Sequence, residues 1–471
     1  MKRLIFAVAM MGLCVLVPTA RAERTNVIVM LVDDWGWRDA GCFGSDLYET
    51  PNIDRLAARG MKFTNGYAAC TVCSPTRATM MTGMYPGRTH VTDWIPGHVK
   101  PKDDMQVPDW TQRLELKHTT LAEAMRAGGY HTAHVGKWHL TPRSYDSAEL
   151  EPYYPQNQGF EINIAGNQWG APGSYYYPYR RGKQTGIRSR TVNFPPDIPE
   201  GRYLTDMLAD HALRIIKQWG DEPFFMYWAT YAVHTPLQGR ADLVKEYKPK
   251  IKPGMQHHNA DYAAMVTAVD EALGRLVDTL EAQGIADRTV IILTGDNGGL
   301  QGRSTDNSPL RAGKGSAYEG GVRVPTVIFW PGVTPPGSVC DEPVITTDYY
   351  PTVLEITGVA GNAQHNANVD GLSLVPLLKN PDAQLDRDAI YWHYPHYHPG
   401  GASPYAAIRA RDWRLVEFYE DNHVELYNLA ADIGEKHNLA KSNPAKAKQL
   451  TDKLHTWQKS VGAQFATKKS Q

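Results

Sequence analysis

Residues 26–32 read Asn-Val-Ile-Val-Met-Leu-Val, an unbroken apolar run that stops abruptly at Asp33-Asp34-Trp35-Gly36. A strand that is apolar at every position has to be covered on both faces, which is the situation inside a mostly parallel sheet. The sequence that follows repeats the theme. Pro51-Asn52 opens a short helix over 53–59, closed by Gly60. A helix over 121–127 stops at Gly128-Gly129, and a strand over 130–135 follows. An amphipathic helix over 203–219 precedes an apolar strand over 224–229, and a long helix over 262–283 precedes a strand over 290–293. The run 326–330 continues the sheet. Strands alternating with helices predict an α/β fold: a large mixed, mostly parallel sheet sandwiched by helices. After residue 378 the pattern changes to short strands over 405–410, 413–418 and 424–427 and a helix over 444–461, predicting a smaller antiparallel C-terminal subdomain. The expected division is a leader over 1–22, a catalytic domain over 23–378 and a subdomain over 379–471.

The leader is read from Lys2 and Arg3, the apolar stretch 4–17 and the small-residue site Ala20-Arg21-Ala22. The stretch is short for a membrane span, which needs about 20 apolar residues. An exported protein, periplasmic or secreted, is expected, with no membrane partner. Loss of the leader moves the formal charge from −1 to −4. A near-neutral chain offers no general electrostatic attraction for nucleic acid. The four cysteines left, Cys42, Cys70, Cys73 and Cys340, are too few for a disulfide scaffold. The chain has 25 Tyr and 12 Trp against 10 Phe, a bias toward side chains with a flat apolar face and a polar handle, as sugar binding uses. Residues 146–202, rich in Pro, Gly, Tyr, Asn and Arg, read as long loops suited to substrate contacts.

Open α/β sheets bind ligands beyond the carboxyl ends of their strands. Asp33 and Asp34 follow the first strand, and Asp296 and Asn297 follow the strand over 290–293. Two pairs of hard oxygen donors make a cage for Ca²⁺, or for Mg²⁺. Lys137 and His139 lie beyond the strand over 130–135. His234, in His234-Thr235-Pro236, follows the strand over 224–229. Lys314 stands between Gly313 and Gly315, which permit a close approach of backbone to ligand. Finally, Cys73-Ser74-Pro75-Thr76-Arg77 leads into good helix formers and Gly83. Cys73 is expected just before a helix N-terminus, which favours an anion, with Arg77 one turn further on.

The Cys73–Arg77 segment followed by Thr82-Gly83 resembles the modification signature of the type I, formylglycine-dependent sulfatases of the alkaline phosphatase superfamily (arylsulfatase-like). Gly129-Tyr130-His131-Thr132 with Gly136-Lys137-Trp138-His139 matches their second signature. Glu425-Leu426-Tyr427-Asn428-Leu429 and Asn438-Leu439 match a common family ending. Ile433 stands where many members have Pro, and Thr76 where many have Ser. The resemblance implies a sulfuric ester hydrolase. Asp33, Asp34, Asp296 and Asn297 would ligate Ca²⁺, with the modified residue 73 and the sulfate completing the shell. Cys73, oxidised to formylglycine by a maturation enzyme, would provide a hydrated aldehyde as nucleophile. Arg77, Lys137 and His139 would hold and polarise it, while Lys314 and His234 would bind the sulfate and its leaving oxygen. A sugar alkoxide leaves poorly, so His234 is expected to protonate it. The second hydroxyl of the hydrate lets the sulfated residue eliminate sulfate without attack of water at sulfur. With Cys73 converted, three cysteines would remain, enough for one disulfide.

The expected substrate is a sulfated carbohydrate, with galactose or N-acetylgalactosamine sulfates suggested by the resemblance. A phosphonate or phosphate ester hydrolase of the same superfamily, and an inactive glycan-binding homologue, are the alternatives. Candidate recognition segments are 93–98, 167–181 and the His- and Tyr-dense stretch 392–398.

Overall fold

The computed structural model describes residues 24–98 and 103–469. The expected leader therefore lies outside the described residues. The larger body is built on an eight-stranded sheet. Its strands are β1 (Asn26–Val32), β2 (Met61–Phe63), β3 (His131–Gly136), β4 (Ile162–Ile164), β5 (Phe224–Ala229), β6 (Thr289–Gly295), β7 (Thr326–Phe329) and β8 (Ser338–Cys340), in the spatial order β8-β2-β7-β6-β1-β5-β3-β4. β1 pairs in parallel with β5 and β6, and β3 in parallel with β4 and β5. Only β7 runs against its neighbours, β6 and β2.

β1 shows why its sequence is apolar throughout. Ile28, Met30 and Val32 face one core with Leu204, Met207 and Leu208 of the helix Leu204–Trp219 and Leu273 and Leu276 of the helix Ala260–Ala282. Val27, Val29 and Leu31 face the other, with Met80 and Met81 of the helix Cys73–Thr82, Leu121 and Met125 of the helix Leu121–Ala127, and Val353 of the helix Tyr349–Thr357. Alternate residues point to opposite faces, so each face has its own core. Element positions agree with the sequence reading to within a few residues at their ends, and the strands over 224–229, 405–410 and 413–418 coincide with it.

The C-terminal sheet has four antiparallel strands: β9 (Ile390–Tyr394), β10 (Tyr405–Ala410), β11 (Trp413–Phe418) and β12 (Val424–Asn428). The helix Pro444–Ser460 covers it through Leu450, Leu454 and Trp457. The same core includes Tyr67, Ala317, Val322 and Ile345 of the larger body, so the two parts share a hydrophobic seam.

Here one expectation needs correction. Residues 392–398 do not form a sugar-binding wall. β9 is a strand the sequence reading did not assign, and Trp392, His393, Tyr394 and His396 are buried. Trp392 donates its indole N–H to the Ala68 carbonyl, His393 pairs with the Gln464 carbonyl, and His396 with the Thr92 hydroxyl. These polar rings bridge elements inside the seam. The four described cysteines are all free thiols. Among the described residues no helix is long and apolar enough to cross a membrane.

Candidate active site

Four neighbouring strands, β6, β1, β5 and β3, end together. Val32 lies opposite Gly295, Leu31 opposite Ala229, and Ala229 opposite Gly136. The next residues of each strand are therefore delivered to one place: Asp33 and Asp34 from β1, Asp296 and Asn297 from β6, Lys137 and His139 from β3, and His234 from the turn after β5. The helix Cys73–Thr82 points its N-terminus there, with Cys73 as its first residue. Gly83 closes this helix in the left-handed conformation at φ 68°, its N–H donating to the Thr79 carbonyl.

The charges are almost wholly removed from water. Asp33, Arg77, Lys137, Asp296 and Asn297 are fully buried, and Asp34 and Lys314 nearly so. Lys137 Nζ donates to both oxygens of Asp33, at 2.9 and 2.7 Å. Arg77 donates Nη2 and Nε to Asp296 Oδ2 at 2.6 and 3.0 Å, and Nη1 to the Lys137 carbonyl at 2.8 Å. Its Nη2 also lies 3.5 Å from Asp33. The Arg77 guanidinium thus reaches the carboxylates of Asp296 and Asp33. Lys314 donates to Asp34 Oδ1, and His234 Nε2 lies 3.6 Å from Asp34 Oδ2.

Asp33, Asp34 and Asp296 can each turn one oxygen to a common point, within 4.8 Å of one another. Three carboxylates against Arg77, Lys137 and Lys314 leave the cluster formally neutral. Asn297 donates Nδ2 to Asp34 Oδ1 at 2.9 Å, but its buried Oδ1 has no hydrogen-bond partner. A buried amide oxygen left unpaired is costly. This oxygen and the three carboxylates are the donor set a hard divalent cation takes, so the residues fit Ca²⁺ or Mg²⁺. A cation there would leave the site positive and suited to an anionic ester.

Titration follows from burial and neighbours. Burial, and after it the charge of Asp296, pushes Asp33 well above the usual carboxylate range against the pull of Lys137 and Arg77. Burial acts on Asp34 in the same direction, but Lys314 and then His234 outweigh it and hold Asp34 low. Burial also raises the Cys73 thiol, opposed by Lys137 and Lys314, so the unmodified side chain is a neutral thiol. His139 is held neutral by burial and then by Lys137.

His139 is fixed by four contacts. Its Nε2 lies 2.6 Å from the Ile95 carbonyl, which can only accept, so Nε2 carries the proton. Nδ1 is then an acceptor, 3.3 Å from Cys73 Sγ. Ser74 ties the loop together by donating to the His139 carbonyl at 2.9 Å and accepting from Ile95 N–H at 3.1 Å. Gly170 lies flat on the ring: a Cβ there would come within 2.3 Å of His139 Cε1. Both His139 and Asp34 have left-handed backbone, at φ 60° and 57°, a cost of about 1–3 kcal/mol each that the packing has to sustain.

Above these groups opens a cavity of about 490 Å³. Cys73, His139, His234 and Lys314 line it together with Trp94, Trp169 and His398. The segments 93–98 and 167–181 thus reach the cavity, and of 392–398 only His398 does. Sequence reasoning gave no part to Ser74 or Gly170. Ser74 was visible beside Cys73, but nothing in the sequence announces that a glycine must lie against a histidine 31 positions earlier.

Fold and site together define a hydrolase of anionic esters with its centre at the carboxyl ends of a parallel sheet. The Sulfatase family model matches residues 25–359, and the model of the N-sulphoglucosamine sulphohydrolase C-terminal region matches 313–461. The chain belongs to the sulfatase family and is a sulfuric ester hydrolase. It is 33% identical to a sulfatase of Formosa agariphila over 92% of this chain and 89% of that one. It is 32% identical to N-acetylgalactosamine-6-sulfatase of Sus scrofa over 76% of this chain and 67% of that one. Among solved structures it resembles Ps i-CgsB in complex with k-i-k-neocarrahexaose, at a TM-score of 0.75 and 29% identity, covering 93% of each chain.

Proposed function

We propose that this enzyme removes sulfate from a sulfated carbohydrate, with galactose or N-acetylgalactosamine units the first candidates, after Cys73 has been converted to formylglycine by a maturation enzyme. One observation carries the reading: Cys73, His139, His234 and Lys314 face one cavity, and Lys314 and His234 contact Asp34 of the Asp33-Asp34-Asp296 cluster, beside the unpaired Asn297 Oδ1. The relatives named above, one an N-acetylgalactosamine sulfatase and one bound to a carrageenan oligosaccharide, support the substrate class. The expected leader supports export.

Asp33, Asp34, Asp296 and Asn297 would hold Ca²⁺, or Mg²⁺, which supplies positive charge to polarise the ester sulfate. Formylglycine at 73, as its hydrate, supplies an oxygen nucleophile where the buried thiol is inert. Lys314 and His234 bind the sulfate from the cavity side. Lys137 neutralises Asp33, and Arg77 fixes Asp296 and the Lys137 carbonyl. These groups preorganise the field before substrate arrives. His139 Nδ1, an acceptor facing residue 73, takes a proton from its hydroxyl, and His234 gives one to the departing sugar oxygen.

The test combines mass and metal on one active preparation. The tryptic peptide containing residue 73 should be lighter than the cysteine form by about 18 Da, thiol sulfur having been replaced by carbonyl oxygen. The same preparation should contain one equivalent of calcium or magnesium and cleave sulfate esters faster than matched phosphate esters. Full activity with unmodified cysteine, or a preference for the phosphate ester, overturns the reading.

A further inference from the structure

Cations stand at the wall of the cavity: Arg143 and Arg190 line it, and Arg188 lies over the ring of Tyr145, another lining residue. Residues 180–190 contain Arg180, Arg181, Lys183, Arg188 and Arg190 and no acidic residue. Arg143 and Arg190 line the cavity itself, beside Tyr145 and Trp169. The Arg188 guanidinium lies 4.9 Å over the Tyr145 ring, and the Arg190 guanidinium 4.8 Å over the Trp169 ring. The two rings are 6.3 Å apart. Arg188 and Arg190 are thus each held over a ring, and the two rings adjoin along the wall. Arg190 is held further by donating Nη1 to the Ala171 and Pro172 carbonyls, at 3.2 and 3.4 Å.

No carboxylate among the described residues forms an ion pair with Arg143, Arg181, Arg188 or Arg190. The acidic residues that follow Arg143 most closely are used locally: Asp146 accepts the Ala148 N–H at 2.9 Å, and Glu149 accepts the Ser144 hydroxyl. Burial, with the charge of Arg181 after it, pulls the Arg190 guanidinium down, so these cations feel one another. Like charges gathered at a cleft focus its field outward and repel one another until an anion arrives. Guanidinium groups have the planar fork that recognises oxyanions, and stacking on aromatic rings keeps them in place. The scissile sulfate is already provided for by Lys314 and His234 at the inner end. A singly sulfated sugar bound there would leave the rim cations without a partner.

We propose that this rim is a subsite for a second anionic group, a sulfate ester or a uronate carboxylate on a sugar adjoining the one that is cut, so that the preferred substrate is a polyanionic glycan chain. This rests on the sulfatase reading and specifies its substrate.

The experiment compares the wild-type enzyme with an Arg143→Ala/Arg188→Ala variant on four substrates. These are nitrophenyl sulfate and three oligosaccharides of equal length with one scissile unit, whose adjoining sugar is neutral, sulfated or a uronate. The wild type should favour the charged chains over the neutral one by about 10-fold or more in kcat/KM, chiefly through KM. That preference should shrink between about 50 and about 500 mM NaCl, as screening of exposed charges requires. The variant should lose the preference and keep its rate on nitrophenyl sulfate within about two-fold, since surface substitutions away from the reacting groups perturb little. Which charged chain is favoured tells sulfate from carboxylate. Equal kcat/KM on neutral and charged chains, or a preference that survives in the variant, overturns the subsite. Absence of turnover on every sulfate ester would instead sink the sulfatase reading. In that case calorimetric binding of the charged chains to the same two proteins still decides the subsite, through an expected weakening of about 10-fold in the variant.

Discussion

At the scale of single residues, the proposed chemistry turns on two histidines in different states of restraint. His139 has both ring nitrogens committed, one to Ile95 and one toward residue 73. His234 contacts its neighbour's carbonyl through Nδ1, at 2.8 Å from Thr235 O, and presents Nε2 toward Asp34 and the cavity. In the free chain burial pushes His234 down to about 3, with Asp34 pulling upward and Lys314 and Lys137 adding to the depression. It is therefore neutral at rest, and it becomes a useful acid only when negative charge arrives beside it. In the proposed complex the ester sulfate, held by Lys314 and His234, is that charge. The contribution of His234 should then depend on how much the leaving oxygen needs a proton. His234→Ala should lose about 10²–10⁴-fold in kcat on a sulfated sugar and far less on nitrophenyl sulfate, whose phenolate departs unaided. Lys314→Ala should impair both, because the lysine is proposed to hold the group the two substrates share. Parallel kinetics on folded, metal-containing, modified variants make the comparison. Equal losses for His234→Ala on both substrates would show that it binds sulfate and donates no proton.

At the scale of elements, the site depends on loops that press on its residues from outside the sheet. Gly170→Ala would put a methyl group against a His139 ring already pinned on both sides. The ring has to move, and a displacement near 1 Å at a reacting group can cost about 10²-fold. We expect kcat to fall by about that factor while thermal unfolding shifts by an amount typical of overpacking, about 1–3 kcal/mol. Unchanged turnover would mean that the loop simply gives way. The Trp94 side of the cavity is anchored by Asp93, which accepts from Tyr394 O–H of β9 at 2.7 Å and from Trp94 N–H at 2.8 Å. Burial raises this carboxyl to about 7, against those hydrogen bonds. Its folded value lies above its unfolded one, so the stabilisation it gives is complete at low pH and is lost as pH rises from about 4 to 7. Asp93→Asn removes the titration. The variant should gain on the wild type across that interval in denaturant midpoints, and a constant difference would refute the assignment. These loops also mark where the sequence ceases to be legible. β1 could be read because a strand buried on both faces is apolar at every position, and the paired acids could be read because they follow strand ends directly. β9 could not, because its Trp, His and Tyr polar atoms find partners inside the seam, such as Ala68 and Gln464, that lie far away in sequence. A run of such rings looks the same whether it faces sugar or protein. Arg77 was legible as a motif position, but its partner Asp296, 219 residues away, was fixed only by the meeting of the helix N-terminus with β6.

At the scale of the whole molecule, the C-terminal sheet is bonded to the segment that follows Lys314, the lysine proposed to bind sulfate. Lys314 sits in a glycine-flanked turn whose backbone N–H groups donate to the Gly299 and Thr71 carbonyls, both at 3.0 Å. Five residues on, Glu319 begins a short helix, Glu319–Val322, buried where the two parts meet. Arg414 of β11 donates to Glu319 Oε1 at 3.1 Å and to the Ala317 carbonyl at 2.7 Å. Glu435, from the turn after β12, accepts the Glu319 N–H at 2.8 Å. It also lies 3.1 Å from Arg414 Nε, an ion pair not aligned as a hydrogen bond. Tyr67 and Arg323 complete the shell around Glu319 Oε2, at 2.7 and 3.3 Å. Both Arg414 and Glu319 are fully buried, so removing one partner strands the other without water. Breaking a buried pair in this way costs about 3–5 kcal/mol. Arg414→Ala should therefore lower stability by about that much, and it should also release the 314–319 segment from the C-terminal sheet. If the sheet positions Lys314, substrate affinity has to suffer beyond what instability explains: well below the variant's melting temperature, KM for a sulfate ester should rise several-fold with metal content unchanged. Arg414→Lys, which keeps the charge but loses the fork that reaches Glu319 and Ala317 together, should recover part of the stability and little of the KM. A variant that melts early yet binds its substrate normally would show that the seam serves stability alone, and that the lysine turn is held by the larger body without help.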